Sequence, residues 1–305
     1  MLATPWPAPF DDPSWAFDIK WDGYRAIVSN DERIRARSRR GLDLLGPFPE
    51  LMRLPIPEAV VLDGEVVAFD AEGRPSFSLI QRRTGFGGAG TGAAVAVNYV
   101  VFDLLHQGEE PLIGLPYRER RARLDDLQLA SPLVVPEPTV GDGVTLFEAV
   151  RSQGFEGIVA KRLGSTYQPG RRSPDWRKIS VKRRMRAVVG GYVSGEGSRG
   201  STFGSLLLGL WDGGELRWIG AVGSGFKEGD LVAIYGALAQ IERETSPFDT
   251  PVVYPGHLRW VEPGIVVNVE FKEWTHEHHL RAPVYKGVEP VDPETATWEA
   301  EGPDS

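Results

Sequence analysis

A lysine acts as a nucleophile when its amine is partly withdrawn from water and neighbouring cations lower its pKa. Lys20 has a setting that suits this. It ends the apolar run that begins at Phe17, and the turn pair Asp22-Gly23 and then Arg25 follow it. The pattern K-x-D-G by itself fits a surface turn equally well, so its weight depends on what else the chain carries. Three more segments place acids or lysines at the ends of apolar runs. In Val61-Leu62-Asp63-Gly64-Glu65-Val66-Val67, carboxylates stand where one strand ends and another begins or continues. In Phe155-Glu156-Gly157-Ile158-Val159-Ala160-Lys161, an acid heads an apolar run and a lysine closes it. In Trp176-Arg177-Lys178-Ile179-Ser180-Val181-Lys182, period-two alternation puts Lys178, Ser180 and Lys182 on one face against an apolar opposite face. Any one of these charges suits an exposed strand end. Burying them is costly unless they pair or bind an ion, so all of them in one chain point to a site.

The absence of cysteine removes disulfides, thiol nucleophiles and cysteine-ligated zinc. Any metal must then sit on oxygen or histidine. At 305 residues, with 41% hydrophobic and 25% charged residues, the composition is that of an ordinary globular protein with room for two domains. No apolar run approaches membrane-spanning length. The stretch Met1-Leu-Ala-Thr-Pro-Trp-Pro-Ala-Pro does not read as a secretory signal, which leaves a cytoplasmic location as the expectation. A net charge of −8 would disfavour nucleic acid, but phosphate contact depends on local patches. One patch is Arg33, Arg35, Arg37, Arg39 and Arg40, which a solvated face explains equally well. The other is denser: Arg162, Arg171, Arg172, Arg177, Lys178, Lys182, Arg183, Arg184 and Arg186.

The elements that must position these residues are mostly short strands. The segments 17–27, 60–69, 95–105, 157–160 and 179–181 read as strands, several too apolar to be half exposed. Helices are expected from Pro116 to Leu127, where the proline suits a first turn, and around Val144, Phe147 and Val150. After Arg186 the chain becomes Gly-punctuated strands at 187–193, 205–211, 216–222 and 265–271, with one helix carrying Leu231, Ile234, Leu238 and Ile241 on a face. Several strands plus one helix suit a small OB-type barrel. The boundary is placed near Arg184, giving domains 1–183 and 184–305. The run from Gly85 to Gly92 contains a formal G-x-G-x-x-G but precedes a strand-like segment, so a flexible surface loop is the better reading. No phosphate-cradling G-x-x-x-x-G-K-[ST] occurs.

Taken in order, Lys20-x-Asp22-Gly23-x-Arg25, Asp63-Gly64-Glu65, Tyr99-Val100-Val101-Phe102-Asp103, Glu156-Gly157-Ile158-Val159-Ala160-Lys161 and Trp176-x-Lys178 resemble the motifs of covalent nucleotidyltransferases, specifically ATP-dependent DNA ligases. Ser38-Arg39-Arg40-Gly41, Phe48-Pro49-Glu50-Leu51 and Tyr167-Gln168-Pro169-Gly170-Arg171-Arg172-Ser173 resemble the ligase module of bacterial non-homologous end-joining ligases and their short stand-alone relatives. The similarity runs from about Met1 to about Lys286. It implies an α+β fold: a nucleotidyltransferase (adenylation) domain with antiparallel sheets and flanking helices, followed by a C-terminal OB-fold β-barrel. It also implies that the barrel swings between ATP and the nick about a hinge near Lys182 to Arg186.

The implied chemistry begins with attack of Lys20 on the α-phosphate of ATP, leaving lysyl-AMP. The AMP then passes to the 5′-phosphate of nicked double-stranded DNA, and the 3′-hydroxyl displaces it. Alignment and charge neutralisation should supply most of the catalysis. By resemblance Lys20, Asp22 and Lys178 are catalytic. Asp18 with the backbone of Ile19 reads the adenine amine, Phe102 stacks on adenine, and Arg25 serves the ribose and phosphate region. Glu156 serves Mg2+ (or Mn2+) and Glu65 the ribose or metal. Lys178 holds the α-phosphate, with Lys182 and Arg281 completing the ATP site. Arg39 adjoins the nucleotide and grips the nick's 5′-phosphate, and Arg171, Arg172, Arg183 and Arg184 face DNA. The implied partners are nicked DNA and end-joining or repair proteins, with no membrane. Without an N-terminal DNA-encircling domain, weak substrate grip or help from a partner is expected.

Two positions depart from the family pattern. Ser180 stands where a second lysine is usual, and Glu289-Pro290-Val291 replace basic residues after His279-Leu280-Arg281-Ala282-Pro283-Val284-Tyr285-Lys286-Gly287. Self-adenylation should therefore depend on Arg281, with Lys286 as a second candidate, and pyrophosphate handling should be weak. His276, His278 and His279 lack the H-E-x-x-H pattern, and ordinary surface or DNA-proximal histidines are expected. The rival readings are an RNA ligase or capping-type nucleotidyltransferase, and a nick-binding module with degraded ligation.

Overall fold

The structure, a computed structural model, describes residues 1–71, 73–84, 95–275 and 277–303, apart from the side chains of Ser78, Arg82 and Ser198. The glycine run from Gly85 to Gly92 and His276 lie outside the described residues. The chain divides into two units, Met1–Val181 and Lys182–Ser305. This division falls two residues before the boundary expected from the sequence.

Two sheets build the first unit. One has the order β1 (Leu2–Pro5), β11 (Arg172–Ser180), β10 (Gly157–Arg162), β2 (Asp11–Ile19) and β9 (Thr139–Asp142). The other runs β4 (Arg33–Ser38), β3 (Tyr24–Asp31), β5 (Val60–Val67), β6 (Asn98–Gln107) and β7 (Glu110–Pro111), with β8 (Leu133–Val134) parallel to β6. Helices α1 (Phe77–Thr84), α2 (Tyr117–Asp126) and α3 (Gly143–Ser152) flank them. Pro116 precedes the first turn of α2, and the Asp142 side chain caps α3 by accepting from the Thr145 amide at 3.3 Å.

Alternation decides which face of each sheet is apolar. On β3 and β5, Ala26, Val28, Leu62 and Val66 enter one core, against Phe48, Ile80 and Leu124. On the first sheet, Phe17, Ile158, Ala160 and Ile179 pack on Val150, Leu146 and Phe147 of α3. Each fully buried large side chain of this kind contributes about 1.5–3 kcal/mol. The other faces of both sheets meet in a small cluster containing Met1, Leu105, Tyr167 and Trp176, with Ile27, Val61 and Phe102 against it. Polar side chains fill the rest of that interval.

Three features differ from the sequence reading. The segment 17–27 is two strands in different sheets, because Asp22-Gly23 breaks it. Asp63-Gly64-Glu65 is the interior of one strand, β5, and joins no two. The lysine row ends with β11 at Ser180, so Lys182 does not extend the face of Lys178.

The second unit is a sheet of order β14 (Glu215–Val222), β13 (Phe203–Asp212), β12 (Arg183–Ser194), β16 (Leu258–Phe271) and β15 (Glu242–Arg243), with β19 (Val284–Glu289) also on β16. Helix α4 (Glu228–Leu238) lies among these strands, and β17 (Glu273–Trp274) pairs β18 (Leu280–Arg281) as a separate hairpin. The long strands β12 and β16 form the spine of this OB-type half-barrel, whose core includes Val188, Leu206, Leu208, Ile219 and Val267. Helix α5 (Trp298–Glu301) closes it, with Arg186 bonded to Glu301 at 2.6 Å.

Candidate active site

Cross-strand register assembles the first half of the site. Val159 of β10 stands between Asp18 of β2 and Lys178 of β11, and Lys161 stands between Ala16 and Trp176. Lys20 follows the end of β2, where its amide donates to the Gly157 carbonyl at 2.8 Å, and Gly157 is opposite Ser180. Side chains in one row, and two residues apart along a strand, share a face. Asp18, Lys20, Lys161, Lys178 and Ser180 therefore project together, opposite the core packed on α3. Ile19 belongs to the core face, which leaves only its backbone on the site side.

Lys20 is ion-paired through Nζ to Glu156 Oε2, both side chains being mostly buried. Gly157 allows this close arrangement. Its φ is +143°, and a Cβ there would stand 2.1 Å from the Ile179 carbonyl oxygen. Gly23 has a matching role beyond Lys20, since its Cβ would meet the Val66 carbonyl oxygen at 2.2 Å. The glycines of both motifs thus let charged residues lie against neighbouring backbone. Burial holds the Lys178 ammonium below its ordinary pKa, and the charges of Lys20, Arg172 and Arg39 push the same way against Glu156. Lys178 is therefore within electrostatic reach of both Lys20 and Arg39.

The second sheet contributes the odd-numbered residues of β3 and β5. Arg25 donates from Nε and Nη2 to the two carboxylate oxygens of buried Asp63, at 2.9 and 2.6 Å. Tyr167 donates to the same carboxylate at 2.8 Å. Burial lowers the Arg25 pKa, but the Asp63 charge and hydrogen bonds outweigh it, and the net shift is upward. Two of its donor nitrogens are thus committed to Asp63. Glu65 lies next along the face. Burial pushes its carboxyl up to about 8, with Asp63 and Asp22 adding to the shift and Arg25 and Lys20 opposing it.

Phe102 reaches the site through a bulge. Asp63 pairs with Asp103 and Gly64 with Val101, so Phe102 is an extra residue on β6, a device that re-aims a side chain. Its backbone carbonyl accepts from Lys161 Nζ at 3.1 Å. The same ammonium stands 4.5 Å over the Phe102 ring and 4.7 Å over Trp176, and pairs with Asp18 at 2.8 Å. Asp103 is fully buried against Arg120, whose Nε and Nη2 each donate at 2.8 Å. In the sequence Lys161 stands out as a charge closing an apolar run but without a partner, and Tyr167 and Arg120 carry no assigned part. The signal for a partner was the acid Asp103 inside an apolar run.

The remaining candidates are more exposed or belong to the second unit. Arg39, Arg171 and Arg172 are exposed on the first unit, and Arg183 and Arg184 on the second. Lys182 pairs at 3.0 Å with Glu270, a buried carboxylate that Lys286 and Arg184 also approach at 3.5 Å. Lys182 lies beyond the end of β11, and the buried charge it meets is in the second unit. Arg281 is 2.5 Å from Glu273 across the β17–β18 hairpin.

Glu65 and Glu156 suit a hard divalent cation. Both offer carboxylate oxygen, the donor type such ions take. Among the described residues, no group of three or more acids, histidines or cysteines gathers as a metal cage.

Residues 1–180 match the family described as ATP dependent DNA ligase domain, and residues 199–291 the ATP dependent DNA ligase C terminal region. The chain belongs to the ATP-dependent DNA ligases. It is 40% identical over 284 residues to the multifunctional non-homologous end joining DNA repair protein LigD of Mycobacterium tuberculosis, covering 90% of this chain and 36% of that protein. The chain thus spans little more than a third of the curated relatives it matches first. The crystal structure of the ligase domain of M. tuberculosis LigD covers 97% of this chain and 96% of its own, at 38% identity and a TM-score of 0.56. A mycobacterial DNA ligase D complexed with ATP and MES gives 36% identity and a TM-score of 0.57 over the same shares.

Proposed function

We propose that this chain seals nicks in double-stranded DNA through a lysyl-AMP intermediate, with ATP as adenylate donor. Lys20 carries this reading, because its amine is held by Glu156 on a face that also presents Lys178, Asp18 and, from the second sheet, Arg25 and Glu65. The Lys20 ammonium must lose a proton before Nζ attacks the α-phosphorus, and Glu156 is the carboxylate against it. Pyrophosphate departs as the Nζ–P bond forms. The 5′-phosphate of the nick then displaces Lys20 from phosphorus. Finally the 3′-hydroxyl displaces AMP and closes the phosphodiester.

Within this scheme Phe102 offers a ring to the base, and Lys161 fixes both that ring and the Asp18 carboxylate. Lys178 neutralises the α-phosphate, and Arg25, pinned by Asp63, lines the ribose side. A divalent cation held by Glu156 and Glu65 would neutralise charge on the triphosphate. Arg39, Arg171 and Arg172 provide salt-sensitive phosphate contacts. End-joining repair is the proposed setting, on the strength of the LigD relatives.

Ser180 favours a second reading, a nick-binding module with weakened ligation, since a hydroxyl supplies no charge where the family usually has lysine. Intact mass after incubation with ATP and Mg2+, followed by ligation of a nicked duplex, separates the two. One added AMP and a sealed product are expected; an adduct from GTP and not ATP would instead favour a capping-type enzyme.

A further inference from the structure

The second unit contains a hairpin tip held in an unusual way. Between β17 and β18 the Thr275 amide donates to the His279 carbonyl at 2.8 Å, and the Thr275 carbonyl and hydroxyl accept from the amides of His278 and His279 at 2.9 and 3.0 Å. His278 has φ of 59°, a left-handed conformation uncommon outside glycine that the surroundings must stabilise. Two consecutive residues of β14 supply that support. Arg217 Nη2 lies 3.1 Å from His278 Nδ1, and its guanidinium stacks 3.8 Å over Trp298 of α5, against which His278 also sets its ring edge at 5.5 Å. Trp218 meets the His279 ring at 4.4 Å. Asp212 lies 3.4 Å from Arg217, and Glu277 is 3.9 Å from His279. The hairpin carries Arg281 at its far end, cross-strand from Glu273.

We propose that His278 and His279 are positioning residues for Arg281, pinning the β17–β18 tip to β14 and α5 so that the guanidinium is presented in one orientation. The proposal rests on the reading that Arg281 meets the pyrophosphate of ATP. A hairpin of two-residue strands has too few ladder bonds to hold its own tilt, so contacts at its tip set the direction of its charged end. Buried Leu280 lies against Gly220 of β14, and the ring of Trp274 meets Phe271 and Trp298, so the base is packed on both strands and His278 and His279 add the contacts at the tip.

The test separates the reaction into two halves on the full chain: lysyl-AMP formation from ATP, and closure of a nick that already carries a 5′-adenylate. H278A and H279A should slow the first by roughly tenfold to a hundredfold, as misplacement by about an ångström does. They should leave the second unchanged. H278N should restore the first, since asparagine tolerates left-handed backbone and its Oδ1 can accept from Arg217. H279F should do the same through its ring on Trp218. R281A serves as the reference: if it leaves lysyl-AMP formation unchanged, the reading of Arg281 fails. If R281A is slow but the histidine variants are not, or if they slow both halves equally, the pinning proposal is overturned. Should the alanine variants not fold, R217M decides by the same split.

Discussion

Arg25 and Asp63 meet as two planes, Nε to Oδ1 at 2.9 Å and Nη2 to Oδ2 at 2.6 Å, while Tyr167 donates to the same carboxylate at 2.8 Å. Asp63 is fully buried, so its charge depends on these partners. Asp63→Asn should destabilise the chain by about 3–5 kcal/mol, because it leaves a guanidinium without its counter-charge. Urea denaturation measures this, and a cycle with Tyr167→Phe should show coupling between the two sites. Additive effects would mean that the three groups do not act as one unit.

The nucleophile assignment makes a sharper demand. Lys20→Ala should abolish both the AMP adduct and nick sealing, yet leave closure of a pre-adenylated nick measurable, because that step needs no lysyl-AMP. Intact mass spectrometry reads the first effect and gel assay the second. An adduct retained on the variant would place the nucleophile elsewhere.

Much of this site was legible because β-strands print their geometry as period-two alternation. Lys178 and Ser180 share a face for that reason, and the acids and lysines beside Gly157 and Gly23 stand out against apolar runs. What the alternation does not encode is which distant residue answers a buried charge. Lys161 with Asp18, Arg120 with Asp103 and Tyr167 with Asp63 join residues 143, 17 and 104 positions apart, brought together by strand pairing in the first case and by the packing of α2 and of the loop before β11 in the other two. Period two also fails at a bulge, so the direction of Phe102 could not be read from its neighbours. Lys182 misled for a related reason: the alternation of residues continues past Ser180, but the strand does not.

Lys161 supplies a test of nucleotide recognition. Its ammonium pairs with Asp18 at 2.8 Å and donates to the Phe102 carbonyl at 3.1 Å, so one side chain fixes both groups proposed to meet the base. Lys161→Met keeps the bulk and the contact with Trp176 but removes the charge. The expected result is a rise of about tenfold in the KM for ATP, equivalent to roughly 1.4 kcal/mol of lost binding, with a smaller fall in kcat for self-adenylation. Discrimination against GTP should fall as well. An unchanged KM with depressed kcat would show that Lys161 serves the reacting phosphate and not the base.

Glu65 gives the chain a pH dependence whose sign can be worked out. Its folded pKa of about 8 exceeds the ordinary 4.5, owing to burial first and then to Asp63 and Asp22. Between those values the folded state holds a proton that the unfolded state has released. The stability contributed by the protonated carboxyl is therefore fully present below pH 4.5 and is lost as pH rises through 8. Glu65→Gln imitates the neutral carboxyl and does not titrate, so the variant lacks that slope. Compared by urea denaturation without nucleotide or metal, the wild-type chain should lose stability relative to Glu65→Gln on going from pH 5 to pH 8, and the difference should level off above pH 8. A stability difference that stays constant across this window would mean that Glu65 is already ionised at pH 5, held charged by Arg25 and Lys20 against its burial.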